Sequence, residues 1–288
     1  MFGDTFFIMK IAYFGYDPLS SCLEVFQHLG HEFTVIYTGE SSSFSDQVIH
    51  FAQKNNILLC FGKPTLDAMQ TLIEQGVELF FSAEYPWKIP VPSTLKYAIN
   101  VHPTMLPQGR GMTPLPHLIL KQSIYAGITL HKLINEFDAG DVLLQKPFTL
   151  DEDETFDSLS CKVFQQTPDL LFTLLSNIDD YYQNSQAQGQ GSHWPSITVD
   201  EQTLDWQQTT AQLLTTLRAF SSLGTYADIA GKPCVVTSAQ GRCYSHHFSA
   251  GQVILDNKLH ITVATLDGEM CIPKKSLFWR SLNQTINP

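Results

Sequence analysis

Residues 10–37, KIAYFGYDPLSSCLEVFQHLGHEFTVIY, read as one strand, helix, strand unit. Lys10 to Tyr16 is an apolar strand that stops at Asp17-Pro18, because proline offers no N–H to a central ladder and suits a helix start. The helix spans Leu19 to Gly30, and the alternating, β-branched run His31 to Tyr37 is the next strand. The rhythm repeats outward with a helix over Ser45–Asn55, a strand over Ile57–Phe61, a helix over Thr65–Gln75 and a buried strand over Val77–Ser82. Such alternation predicts an α/β fold built on a mostly parallel sheet with helices on both faces. The first turn, GYDPLSS, has one glycine instead of the spaced glycines that admit a pyrophosphate, so NAD is not expected.

Composition narrows the function classes. With 288 residues and 43% hydrophobic content the chain can bury a full core. No apolar run approaches a membrane span, and the start, MFGDTFFIMK, lacks the pattern of a signal peptide, so a cytoplasmic protein without membrane contact is expected. The six cysteines are scattered without metal or redox spacing, which predicts free, mostly buried thiols and no metal site. Net charge is −11, with 10 basic against 23 acidic residues through Glu201 and 7 against 5 beyond it. An acidic protein is poorly suited to a phosphate backbone, so a nucleic-acid partner such as tRNA is disfavoured.

Beyond the first strands the chain offers AINVHPTMLPQGRGM, Ala98 to Met112. Its strand places Asn100 and His102 on one face, two residues apart, before Pro103, Pro107, Gly109 and Gly111 force it out of the sheet. A short helix over Thr113–Gln122 follows, then strands over Tyr125–Leu133 and Val142–Phe148, joined by a tight turn carrying Asp138 to Asp141. The acidic run DEDET, Asp151 to Thr155, opens a helix to about Tyr182 with a break near Pro168. Residues 183–203, rich in Gln, Gly and Ser, read as a linker between a domain over 9–182 and a second over 204–288. The second holds a helix over Asp205–Phe220 and five short strands: Tyr226–Ile229, Pro233–Ser238, Gln252–Leu255, Leu259–Thr265 and Glu269–Ile272. That pattern suggests a small OB-like Greek-key barrel.

The combination Asn100-x-His102-Pro103-x-x-Leu106-Pro107, Arg110-Gly111, GITLHKL and FDAGDVLLQ resembles the 10-formyltetrahydrofolate-dependent formyltransferase family. The likeness is closer to members formylating UDP-linked 4-amino-4-deoxy-L-arabinose than to those formylating methionyl-tRNA, and it extends through the C-terminal domain. It implies a Rossmann-like formyltransferase domain and transfer of a formyl group from 10-formyltetrahydrofolate to a primary amine, such as that of a nucleotide-linked amino sugar. The family's catalytic Asn, His and Asp fall on Asn100, His102 and Asp138. Its folate loops fall on Ala83, Glu84 and Tyr85 and on Glu136, Phe137 and Asp138, while Arg110 and Thr104 fall at the acceptor pocket. One departure is Glu84-Tyr85-Pro86-Trp87, where the sugar enzymes share an aromatic-aromatic-Arg run.

The chemistry asks for these residue types independently. Attack of an amine on a formyl carbonyl builds negative charge on oxygen, which Asn100 and His102 can stabilise as donors. The amine must lose a proton and the leaving nitrogen must gain one, a task for His102 or a water held by Asp138. Asp138 is also expected to orient the imidazole and raise its pKa. Asp141 is the rival carboxylate, expected to cap the turn instead. His28, His31, His117, His246 and His247 have no matched ligands and are expected on the surface or on helix faces. A non-catalytic folate-binding protein, or a hydrolase releasing formate, is the alternative from a different class.

Overall fold

The first strand, β1 (Lys10–Gly15), is buried at every residue after Lys10, which requires cover on both faces of the sheet. The computed structural model describes residues 7–41 and 44–280. In order follow α1 (Ser21–His28), β2 (Glu32–Thr38), α2 (Asp46–Lys54), β3 (Leu58–Phe61), α3 (Leu66–Glu74), β4 (Val77–Ala83), β5 (Tyr97–His102), α4 (Pro114–Leu120), β6 (Gly127–Lys132) and β7 (Val142–Pro147). From β1, Ala12 and Phe14 join a cluster with Val35, Met69, Leu72 and Phe80. Tyr13 stacks on Phe81, which in turn meets Phe26 of α1.

The strands form one sheet in the order β3-β2-β1-β4-β5-β6-β7. Neighbours are parallel from β3 to β5, while β6 and β7 run antiparallel. This is a Rossmann-like, mostly parallel α/β sheet extended by an antiparallel pair at one edge. The strand order reverses between β1 and β4, and open sheets of this kind leave a crevice at the carboxyl ends beside such a point.

Helices α5 (Phe156–Leu175) and α6 (Ile178–Gln183) follow. The helix break expected near Pro168 lies instead at Ser176 and Asn177. Pro168 denies its N–H to the Phe164 carbonyl, but the Ser21 hydroxyl donates to that carbonyl at 3.3 Å, so the helix continues. The chain divides into two compact units. The first takes the described residues up to Pro114 with Tyr125–Thr149 and Ser160–Pro195, and the second takes Leu115–Ile124, Leu150–Leu159 and the described residues from Ser196 on.

The second unit contains α7 (Thr210–Phe220), β8 (Thr225–Ile229), β9 (Lys232–Val236), β10 (Gln240–Cys243), β11 (Val253–Asp256), β12 (His260–Ala264), β13 (Gly268–Pro273) and β14 (Leu277–Trp279). Thr209 and Gln212 form a capping box that starts α7 five residues later than expected, at Thr210. The strands pair in two antiparallel sheets, β10-β13-β12-β11 and β14-β9-β8, around one core that includes Trp206, Leu213, Val236, Val263 and Met270. Two strands beyond the expected five are edges; β10, QGRC, is exposed throughout and has no apolar alternation to read.

Other expectations change on packing. Between Gln186 and Trp194, the stretch read as a linker is part of the first unit and bonded within it. Gln186 exchanges two 2.8 Å backbone bonds with Val142, and residues 192–194 line up beside Pro107 to Arg110. His31, between α1 and β2, is buried instead of on the surface, while His117 lies on helix α4, on its buried side. Of the free thiols, Cys22 and Cys234 are buried while Cys161 and Cys243 are exposed. Among the described residues no helix is long and apolar enough to cross a membrane.

Candidate active site

Strand β5 ends at the crevice, and its pleat sets Asn100 and His102 on the same side. The antiparallel register of β6 places His131 directly opposite Asn100. The turn after β6 returns Asp138 to this face, where it adopts a left-handed backbone with φ of 52°. An aspartate tolerates that conformation better than most side chains. Asp138 Oδ2 accepts the Gly111 N–H at 3.0 Å. Its Oδ1 stands 3.4 Å from His102 Nδ1, 3.5 Å from Asn100 Nδ2 and 3.6 Å from His131 Nε2. Three polar groups from two strands therefore converge on one carboxylate oxygen.

Carbonyl acceptors decide which ring nitrogens carry protons. Gly109 O lies 2.8 Å from His102 Nε2, so that nitrogen donates and a neutral His102 has its lone pair on Nδ1, facing Asp138. Burial pulls the His102 pKa below its ordinary value, and the opposing effects of Asp138 and the Gly109 carbonyl do not reverse it. The expected rise is thus corrected: desolvation of a ring with 5% side-chain exposure outweighs the adjacent carboxylate. Burial would raise Asp138, but the facing His131 and His102 rings in their charged forms, with the Gly111 N–H, together hold it down at about 2.

The cleft over this cluster is lined by Ser82, Glu84, Tyr85, Trp87, Met112, Glu136 and Phe137 along with Asn100, His102 and Asp138. Tyr85 and Trp87 pack edge to face with ring centroids 5.3 Å apart, and Phe137 is 57% exposed, so the walls offer apolar surface to a flat ring. Glu84 has φ of 59°, and its carboxyl is pushed up to about 7, first by desolvation and then by the Asp138 charge. The residue retains solvent-exposed surface, so water tempers the first cause.

Three expected contacts lie elsewhere. Ala83 is fully buried and its carbonyl accepts the Tyr16 N–H, which places it beneath the cleft lining. Thr104 is also fully buried, and its hydroxyl donates to the Gln108 carbonyl at 2.7 Å. It braces the turn. Arg110 does not line the cleft; Nε and Nη2 donate to Gln188 Oε1 at 3.0 and 2.7 Å. Asp141 bonds Lys132 and Ser185 away from the lining, as a structural carboxylate.

Two polar groups of the site escape a reading of spacing. His131 sits in the quoted strand GITLHKL, but only register reveals its place opposite Asn100. Gln188 Nε2 donates to the carbonyls of Asp138 at 2.9 Å and Gly140 at 2.7 Å, tying the Asp138 turn to Arg110. Its surroundings, rich in Gln and Gly, gave no signal of that role.

Fold and site define an α/β protein whose crevice gathers amide, imidazole and carboxylate groups suited to chemistry at a carbonyl. A formyl transferase domain model matches residues 65–175, and a formyl transferase C-terminal domain model matches residues 196–277. The chain belongs to the formyltransferase family. Methionyl-tRNA formyltransferase of Treponema pallidum (strain Nichols) is 32% identical over 197 residues, 64% of this chain and 61% of that protein. The alignment thus spans about three fifths of this relative's length. The Rickettsia massiliae protein of the same name is 24% identical over 80% of each chain. Among solved structures, HypX from Aquifex aeolicus in complex with tetrahydrofolic acid superposes with a TM-score of 0.66 at 20% identity, covering 92% of this chain and 43% of that one. WlaRD, a sugar 3N-formyl transferase, gives 0.64 at 18% identity over 97% of this chain and all of its own.

Proposed function

We propose that this protein transfers the formyl group of 10-formyltetrahydrofolate to the primary amine of a small molecule, such as a nucleotide-linked amino sugar. The observation that carries the proposal is the convergence of Asn100, His102 and Asp138 in one cleft, with Asp138 Oδ1 within 3.5 Å of both partners. The folate donor is assigned to the walls formed by Glu84, Tyr85, Glu136 and Phe137, beside Asp138. Neighbours whose structures carry tetrahydrofolic acid or 5-N-formyl-THF support that assignment. The acidic balance of −11 and the sugar N-formyltransferase neighbours support a small acceptor. The methionyl-tRNA formyltransferase relatives support a second reading, in which the amine is that of a charged tRNA.

In the reaction the amine nitrogen bonds to the formyl carbon, and the bond from that carbon to the folate nitrogen breaks. Asn100 donates to the formyl oxygen as negative charge gathers there. A neutral His102 has its free lone pair on Nδ1, which takes the proton released by the amine. The resulting imidazolium stands beside the Asp138 carboxylate, which stabilises it, and the proton then passes to the leaving nitrogen. At 3.4 Å the present His102–Asp138 approach is long for a hydrogen bond, as expected for two acceptors with no proton between them.

The test supplies 10-formyltetrahydrofolate with and without a panel of amino sugar nucleotides and methionyl-tRNA. Amine-dependent loss of the formyl group supports transfer. Amine-independent loss marks a hydrolase, and binding without loss marks a folate-binding protein; either result rejects the proposal. Faster formylation of charged tRNA than of every small amine selects the second reading.

A further inference from the structure

We infer that His131 is a positioning residue that fixes which end of the Asn100 side-chain amide faces the reacting carbonyl. The inference rests on the donor role proposed for Asn100. His131 is 1% exposed and is not part of the cleft lining, so it stands behind Asn100 instead of touching a ligand. Its Nδ1 lies 2.9 Å from the Lys132 carbonyl oxygen. A carbonyl only accepts, so Nδ1 carries the ring proton and, in the neutral ring, Nε2 carries a lone pair.

That lone pair selects the amide orientation. Asn100 Nδ2 lies 3.0 Å from His131 Nε2. An amide nitrogen donates and an amide oxygen accepts, so reversal of Asn100 would set two acceptors against each other in a buried wall. The choice follows from the Lys132 carbonyl and does not depend on how the amide itself is drawn. One amide hydrogen is thus held by His131. The second faces Asp138 Oδ1 at 3.5 Å, the long limit of such a bond, and is the one that can pass to a formyl oxygen. Without His131 the amide can turn its oxygen toward the developing oxyanion, where it would repel instead of stabilise.

Phenylalanine at this position keeps the bulk of the ring and removes the acceptor, while glutamine restores an acceptor at similar reach. His131→Phe is expected to lower kcat about 10- to 100-fold with the KM for 10-formyltetrahydrofolate within about twofold, since one oriented donor is lost. His131→Gln is expected to recover activity to within about fivefold of the unmodified protein. In an Asn100→Ala background, His131→Phe should change kcat by less than about twofold, because its effect passes through Asn100. Equal losses in the two backgrounds overturn the inference.

A second measurement needs neither turnover nor a variant. In histidine-labelled protein at alkaline pH, long-range proton–nitrogen spectra should show His131 protonated on Nδ1 and bare on Nε2. The opposite tautomer overturns the inference even if His131→Phe fails to fold. Absence of formyl transfer to any amine would instead remove the functional reading, while the spectrum still decides how Asn100 is held.

Discussion

Asp138 is held at about 2 inside a wall where its side chain is 11% exposed, so its contacts must outweigh the cost of burying its charge. Relative to an ordinary value of 3.8, the linkage is worth ~2 kcal/mol. The pKa is depressed on folding, so this stability is fully present above 3.8 and is lost as pH falls toward about 2. Asp138→Asn should therefore flatten the unfolding free energy across that window, measured by denaturant titration at several acidic pH values. His102 is depressed as well, so its contribution is complete above the unfolded value of 6.5 and is lost as pH falls through the lower folded value. The acid limb of kcat/KM should accordingly lie below 6.5, and a limb above that value would remove His102 as the base. Asp138→Asn and His102→Ala should each reduce turnover by ~100-fold or more with circular dichroism unchanged.

At the scale of elements, the site depends on a strap that carries none of its chemistry. Residues 186–194 bond β7 and the Gly109–Gly111 loop, while Gln188 joins Arg110 to the Asp138 turn. Gln188→Ala should lower turnover roughly 10- to 100-fold by misplacing Asp138, with little change in donor KM, because small displacements of reacting groups are costly. A glutamate at 188 would still accept from Arg110 but lose the donors to the turn, and so should not rescue. Gly111 has φ of +130°, and a Cβ there would stand 2.1 Å from the Trp194 carbonyl oxygen. Gly111→Ala should cost at least ~1–3 kcal/mol in urea denaturation, since it adds strain and forces the strap away.

Across the whole molecule the charge is the widest constraint on the acceptor. With −11 overall and only 7 basic against 5 acidic residues after Glu201, the protein offers a phosphate backbone little long-range attraction. Formylation of a small amine should change by less than about threefold between low and physiological salt. Formylation of tRNA, if detected, should fall much more steeply, because it needs several phosphate contacts that release counterions. Equal salt slopes for the two substrates would show that charge does not govern acceptor choice.

The order of strands and helices through β7, and the place of Asn100 and His102 at a strand end, were legible in the chain because apolar period, proline placement and turn residues act over a few positions, while the choice of Asp138 over Asp141 came from the family resemblance. The Tyr97–Val101 strand followed by two prolines already located a sheet end carrying polar side chains. Register, burial and distant pairing lie outside such local signals. They put His131 opposite Asn100, reversed the expected shift of His102, buried Thr104 and turned a Gln-rich linker into a brace. Each depends on which atoms meet across the fold, since desolvation and hydrogen bonding are set by neighbours in space rather than along the chain.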